Sequence, residues 1–200
     1  ENIRESLLSF RGISRRFEQR ATIGSVPVYV DYAHHPREIE AVIRTAKEMA
    51  DGRVLVAFES HTYTRTKSLY DDFIRALSLA DDVLVLDIYA AREKDTLGIN
   101  PHVMATDIGH ASYAPDYPTC ANMLKERAKP GDVVLIVGAG TIVDVVKYLY
   151  AQTCTDRTKA HKLTVLKTFF QWAVNEDYLE KNPCKNIKPI KYQRKAPEHL

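Results

Sequence analysis

Between Val26 and Tyr150, short β-branched runs alternate with amphipathic helical stretches. A chain with this rhythm has few architectures open to it, because strands separated by helix-length crossovers pair in parallel and need helices on both faces of the sheet. Val28 to Tyr32, Arg53 to Phe58, Val83 to Asp87 and Asp132 to Val137 read as the strands. Ile39, Val42, Ile43, Ala46, Met49 and Ala50 keep helical spacing, as do Leu69, Phe73, Leu77 and Ala80. The expected fold is α/β: a Rossmann-like, mostly parallel sheet with flanking helices, followed by a C-terminal helical fragment.

Local punctuation supports these elements. Pro36 suits the first turn of a helix, where its missing N–H costs nothing. A shorter helix is expected from Thr119 to Ala128, and Pro130-Gly131-Asp132 turns the chain into the last strand. Ile142, Val145, Val146 and Leu149 form a further helical stripe, and Arg11 to Gly24 reads as a strand or hairpin with Ile13, Arg15, Phe17 and Gln19 alternating.

Charge marks a boundary. The chain of 200 residues carries a net charge of +2, yet residues 155–200 hold ten Lys/Arg against five Asp/Glu, while the preceding residues hold eighteen against twenty-one. The expected division is therefore 1–152 for the α/β domain and 153–200 for a basic, helical fragment and linker. Thr158 opens one strong helix pattern that ends near Asp177, and Lys185 to Leu200 reads as an extended basic linker.

Three cysteines, Cys120, Cys154 and Cys184, are odd in number and widely spaced, which fits neither a disulfide framework nor a CxxC metal site. They point to unpaired thiols in a reducing cytoplasm. Apolar runs such as Val83 to Leu86 fall far below the roughly 20 residues of a membrane helix, and no secretion signal opens the chain. A first residue of Glu1 suits a start within a longer protein.

The chemistry-bearing motifs all follow strands. Ligands of open α/β sheets sit beyond the carboxyl ends of the strands, where helix N-termini offer free N–H groups to phosphate oxygens. Asp31-Tyr32-Ala33-His34-His35-Pro36 is placed there, with an Asp for ribose hydroxyls, a Tyr ring for a base and imidazoles for an anion. For HHP alone, a helix cap is the plainer reading. His61-Thr62-Tyr63-Thr64-Arg65-Thr66 follows the next strand and adds a guanidinium suited to a carboxylate or phosphate. Adjacent His34 and His35 with no nearby Cys make a poor zinc site, and no metal site is expected. Gly138-Ala139-Gly140-Thr141 lacks the third glycine of a dinucleotide fingerprint and follows the last strand, so it reads as a tight turn at the ligand edge. Arg92 and Glu93, after the third strand, read equally as a surface pair or as part of the site.

As a set, Arg15-Arg16-Phe17-Glu18, the Asp31 and His61 motifs, Ile88-Tyr89 to Glu93 and Gly138-Ala139-Gly140 resemble the C-terminal domain of the Mur ligases over residues 1 to 150. The order and spacing match the branch that joins L-alanine to UDP-N-acetylmuramate, and the related murein peptide ligases share several of the motifs. The resemblance implies an ADP-forming amide ligase of peptidoglycan synthesis and cell division: ATP, with Mg2+ held mainly by a central domain, activates a carboxylate as an acyl phosphate that the amine attacks. It implies nucleotide contacts from Arg16, Asp31, Tyr32, His34 and His35, and contacts to the amino acid or nascent product from His61, Tyr63 and Arg65. No catalytic residue is assigned. The chain departs from the family at Thr62, where a basic residue is common, and at Glu59-Ser60, where Gln-Pro is common. No GxxxxGK[ST] P-loop occurs. With the N-terminal and central domains missing, the fragment alone is expected to be inactive.

Thr158 to Leu200, with Leu163, Leu166, Phe169-Phe170, Trp172-Ala173, Tyr178-Leu179 and Asn182-Pro183, resembles the end of the core-binding domain of tyrosine recombinases. That resemblance implies weak phosphate-directed DNA contact and, as an alternative function, a DNA-integration module.

Overall fold

The computed structural model describes residues 12–150 and 156–189. The chain divides near residue 151 into two compact units.

In the first unit, strands β1 (Glu18–Ile23), β2 (Val26–Asp31), β3 (Val54–Phe58), β4 (Asp82–Val85), β5 (Ala111–Tyr113) and β6 (Val133–Val137) form one sheet in the order β1-β2-β6-β3-β4-β5. All neighbours from β2 to β5 pair in parallel; β1 pairs antiparallel with β2 as a hairpin. The helices are α1 (Pro36–Met49), α2 (Tyr63–Ser68), α3 (Tyr70–Leu77), α4 (Pro101–Ile108), α5 (Tyr117–Arg127) and α6 (Val145–Tyr150), the last preceded by a 3-10 turn at Ile142–Asp144. The Rossmann-like expectation for this unit holds.

The period-2 alternation of the strands sorts the core into two layers. Val54, Val56 and Phe58 of β3 join Leu135 and Val137 of β6 beneath Ile39 and Ile43 of α1, Phe73 of α3 and Met104 of α4. Leu55 and Ala57 face the other way with Val134 and Ile136, against Leu124 of α5 and Ile142 and Val145. Full burial on both faces explains why β3 and β6 read as continuous apolar runs. The chain after β2 turns to one face and the chain after β6 to the other. Their divergence opens a crevice at the carboxyl edge of the sheet, the place where open α/β sheets take ligands.

Several expectations need correction. The stretch from Ile13 to Phe17 is a turn, not a strand: Arg15 and Phe17 have φ of 57° and 46°, and the Phe17 amide donates to Asp31 Oδ2 at 2.7 Å. The helix expected around Leu69 to Ala80 is α3, which ends earlier, at Leu77, and the short helix α2 ahead of it had no sequence forecast. Helix α4 and strand β5 had no sequence forecast; α4 starts from an Asn100 cap with Pro101 at its first turn.

In the second unit, α7 (Asp156–Asn175) begins slightly before the expected helix and ends near Asp177 as expected. Beyond it, Asn182 donates to the Lys167 carbonyl oxygen at 3.2 Å and accepts from the Cys184 amide at 2.8 Å, folding the chain back on the helix. Ala173 and Cys184 are buried, while Phe169, Trp172 and Tyr178 form an exposed ring cluster. Most of the basic linker expected from Lys185 lies outside the described residues.

Candidate functional site

Four loops converge on the carboxyl edge of the sheet. The loop after β2 is fixed by Asp31, only 5% exposed, whose two carboxylate oxygens accept from the Phe17 and Ala33 amides at 2.7 Å each. Those bonds leave the Tyr32 ring outside, with the Arg15 guanidinium 4.7 Å and the Arg16 guanidinium 5.8 Å from its centroid. Asp31 thus shapes the loop from below, while Arg16 and Tyr32 present themselves above it.

His35 is the N-cap of α1, and its side chain closes a capping box with Glu38. Glu38 also accepts from the amides of His34 and His35 at 3.0 and 3.2 Å. The His34 amide bond is the main reason the Glu38 carboxyl lies below its usual range, burial opposing it. His34 holds its ring over the edge by an Nδ1 contact of 3.1 Å to the Tyr32 carbonyl oxygen.

The loop after β3 brings His61 to within 6.4 Å of the His34 ring and 5.4 Å of the Tyr89 ring. Backbone bonds lock it to the loop after β4: Tyr89 N to Ser60 O at 2.8 Å and Thr62 N to Tyr89 O at 2.9 Å. His61 Nδ1 is buried with no hydrogen-bond partner. Burial first, then the Arg65 charge and the neighbouring His34 ring, push this imidazole below its ordinary pKa, which favours its neutral form at pH 7. Thr62 carries a φ of 68°, which throws Tyr63 and Arg65 onto the short helix α2. Among the described residues, Arg65 has no carboxylate partner. Glu93 is neither a partner of Arg92 nor a free site residue: it accepts from the Thr64 amide and hydroxyl at 2.9 and 2.5 Å, and those bonds hold its carboxyl below the usual range.

The loop after β6 completes the edge. Arg15 Nη2 donates to the carbonyl oxygens of Gly138 and Gly140 at 2.6 and 3.1 Å. On the other side stands Glu59, 3% exposed, accepting from Tyr117 Oη at 2.6 Å and from the Ile142 amide at 3.1 Å. The Thr141 hydroxyl lies 2.6 Å from Tyr117 Oη. A Cβ on Gly140 would collide with Glu59 Oε2 and stand 2.6 Å from Tyr89 Cγ, so only glycine fits. Beside this cluster lies a cavity of about 330 Å3 lined by Glu59, Asp87, Tyr89, Asp116 and Tyr117 among others.

Of the expected residues, Arg16, Tyr32, His34 and His61 gather at one edge, with Arg65 on α2 beside His61. His35 and Asp31 spend their side chains on local structure. Arg15, Glu59 and Tyr117 were not singled out by sequence reasoning, although Arg15 lay inside a quoted motif and Glu59 at a departure from the family pattern.

The carboxyl edge of this mostly parallel sheet, with two arginines near an exposed tyrosine, two neighbouring imidazoles and a glycine turn, belongs to the class of open α/β domains that take ligands at such an edge. Residues 15–140 match the family model "Mur ligase, glutamate ligase domain", and the chain belongs to that family. Among curated proteins it is similar to UDP-N-acetylmuramate--L-alanine ligase of Acetivibrio thermocellus, 42% identical over 149 residues that span 72% of this chain and 32% of the relative. The same enzyme of Mycolicibacterium smegmatis is 40% identical over 146 residues, 71% and 30% respectively. Among solved structures, UDP-N-acetylmuramate-alanine ligase from Thermotoga maritima superimposes with a TM-score of 0.56 at 27% identity, over 72% of this chain and 31% of that one. The chain spans about a third of the length of these relatives. The family match stops at residue 140, so the tail gains no support from it, and the recombinase likeness and DNA contact are carried no further.

Proposed function

We propose that the α/β unit is the C-terminal domain of an ATP-dependent ligase that joins L-alanine to UDP-N-acetylmuramate, in the cytoplasm, in peptidoglycan precursor synthesis. The observation that carries this reading is the cationic edge itself: Arg15, Arg16 and Arg65 surround Tyr32, His34 and His61, in a chain about 40% identical to such enzymes.

The edge suits a nucleotide and an amino acid together. The exposed Tyr32 ring, with the Arg15 and Arg16 guanidinium groups close to it, suits a base or ribose at the rim of that cluster. Arg16 and the rim around His34 and His35 suit phosphate oxygens. The half-buried His61 ring can hold a hydrogen bond to the acceptor amino acid through Nε2, its Nδ1 being buried, and Arg65 beside it suits a carboxylate as a fixed fork. In the reaction so read, the sugar-linked carboxylate takes the γ-phosphoryl group of ATP, leaving ADP. The amine of L-alanine then attacks the acyl phosphate, forming the amide and releasing phosphate. Mg2+ falls to the central domain in this reading. This domain's contribution is orientation and charge stabilisation in a closed site.

The test supplies the N-terminal and central domains of a relative in trans and measures phosphate release with ATP, UDP-N-acetylmuramate and L-alanine. Release that requires this chain and falls at least tenfold with Arg65→Ala supports the reading; release indifferent to the chain refutes it. The chain by itself is expected to release none.

A further inference from the structure

We propose that Glu59 is a positioning residue for the ligand edge: its carboxylate holds the Gly138–Ile142 turn from one side while Arg15 holds it from the other, and together they fix Tyr32 and Tyr89. The ligand consequence of this proposal rests on the nucleotide reading above; the hold itself does not.

The geometry of the hold is one of donors only. Tyr117 Oη and the Ile142 amide both point hydrogens at the two Glu59 oxygens, and an ionised carboxylate accepts both without conflict. With Tyr117 donating to Glu59, the Thr141 hydroxyl must donate to Tyr117 Oη, so the charge on Glu59 sets the direction of the whole chain of hydroxyls. Across the turn, the Arg15 guanidinium takes the carbonyl oxygens of Gly138 and Gly140 and lies over the Tyr32 ring. Gly140 itself is wedged against Glu59 Oε2 and the Tyr89 ring, which lies tilted beside the His61 ring. A change at Glu59 therefore moves both halves of the edge: Tyr32 through Arg15, and His61 through Tyr89. The ionisable and charged groups facing it are Tyr117 from α5, Arg15 ahead of β1, and Asp87, Tyr89 and Asp116 around the adjoining cavity.

Burial makes this a costly place for a charge, since desolvation raises the Glu59 carboxyl above its ordinary range against the bonds from Tyr117, Ile142 and Thr141. A group with only a packing role would gain from being neutral there. The carboxylate remains the one species that accepts every donor aimed at it.

The experiment uses the full 200-residue chain, uniformly 15N-labelled, with Glu59→Gln and Glu59→Ala. Amide shifts of Gly138, Gly140, Thr141 and Ile142 and the Arg15 Nε–Hε signal are followed from pH 4 to 8. The parent is expected to show one shared titration midpoint at all five, above that of an ordinary glutamate. Glu59→Gln, which preserves the shape, is expected to abolish that titration while sheet amides stay in place. PH-independent turn amides in the parent, or a titration that survives in Glu59→Gln, would overturn the proposal. ADP affinity is measured on the parent, Glu59→Ala and Tyr117→Phe, and is expected to fall about three- to tenfold in the two variants, which remove bonds that hold the turn; Glu59→Gln restores the residue common at this position in the family and is expected to keep it. ADP binding that is equal in the parent and in whichever of the two variants folds overturns the coupling to the ligand edge. No ADP binding to any sample fails the nucleotide reading instead, and the turn titration then decides the hold alone. Should Glu59→Ala not fold, Glu59→Gln carries the titration and Tyr117→Phe the ADP test.

Discussion

Arg15 Nη2 donates to the carbonyl oxygen of Gly138 across 2.6 Å, joining two residues 123 positions apart in the chain. The bond ties the arm ahead of β1 to the turn after β6, on opposite sides of β2. Arg15→Ala removes it together with the contact to Gly140, and is expected to cost about 1.5–3 kcal/mol of stability. Arg15→Lys should recover only part, because a point charge cannot fork between two carbonyls. Urea midpoints of the three proteins check this; equal midpoints would contradict it.

Gly140→Ala places a methyl group against Glu59 and the Tyr89 ring. The expected cost is roughly 1–3 kcal/mol or more, since the neighbours on both sides are themselves fixed. Thermal unfolding monitored by circular dichroism reads it, and an unchanged Tm would show that the turn has slack.

Stability should depend on pH through Glu59 in an unusual direction. Burial raises its carboxyl above 4.5, with the Tyr117, Ile142 and Thr141 bonds opposing. A raised carboxyl favours the fold in its neutral form: the contribution is complete below about pH 4.5 and is lost as pH climbs through the raised value. Glu59→Gln should therefore be more stable than the parent at pH 7, with the gap closing toward pH 4.5. Denaturant midpoints across that range test it; a gap that opens on the acid side would be the contrary result.

At the opposite edge of the sheet the sign reverses. Burial works to raise the Asp132 carboxyl, but bonds from Arg53 Nη2 at 2.7 Å, the Arg53 amide at 2.9 Å and the Lys129 amide at 2.9 Å outweigh it and hold the carboxyl below 3.8. Its contribution is present above about pH 3.8 and is lost as pH falls through the lowered value. Asp132→Asn is expected to cost about 1.5–3 kcal/mol at pH 7, shrinking below pH 3. A cost that is the same at pH 7 and pH 3 would contradict the assignment.

The contrast between these two carboxylates shows what sequence reading can and cannot reach. Strands such as Val133–Val137 are legible because full burial writes itself as an unbroken apolar run. The Asp31 and His61 motifs are legible because they follow such runs directly. Helix α4 escaped because its eight residues, including His102 and Asp107, carry a weak apolar stripe, and β5 escaped because three residues give no period to read. Arg15 reads as one charge in an alternating strand until the left-handed φ at Arg15 and Phe17 makes the stretch a turn, from which Arg15 reaches the loop after β6. Tyr117 and Glu59 lie 58 positions apart, and nothing local announces that one donates a hydrogen bond to the other. Asp31 stands at the carboxyl end of its strand, but its oxygens are engaged by backbone amides that only the folded loop brings to it.

The central claim is that the carboxyl edge around Tyr32 holds a nucleotide. Its most direct measurement is ADP titrated into the 15N-labelled chain, with the perturbed amides mapped. Saturable shifts centred on Arg16, Tyr32, His34, His35 and Gly138 to Thr141, lost in Tyr32→Ala, are the predicted result. Saturable shifts centred elsewhere, or none at millimolar ADP with the missing domains added in trans, would contradict it.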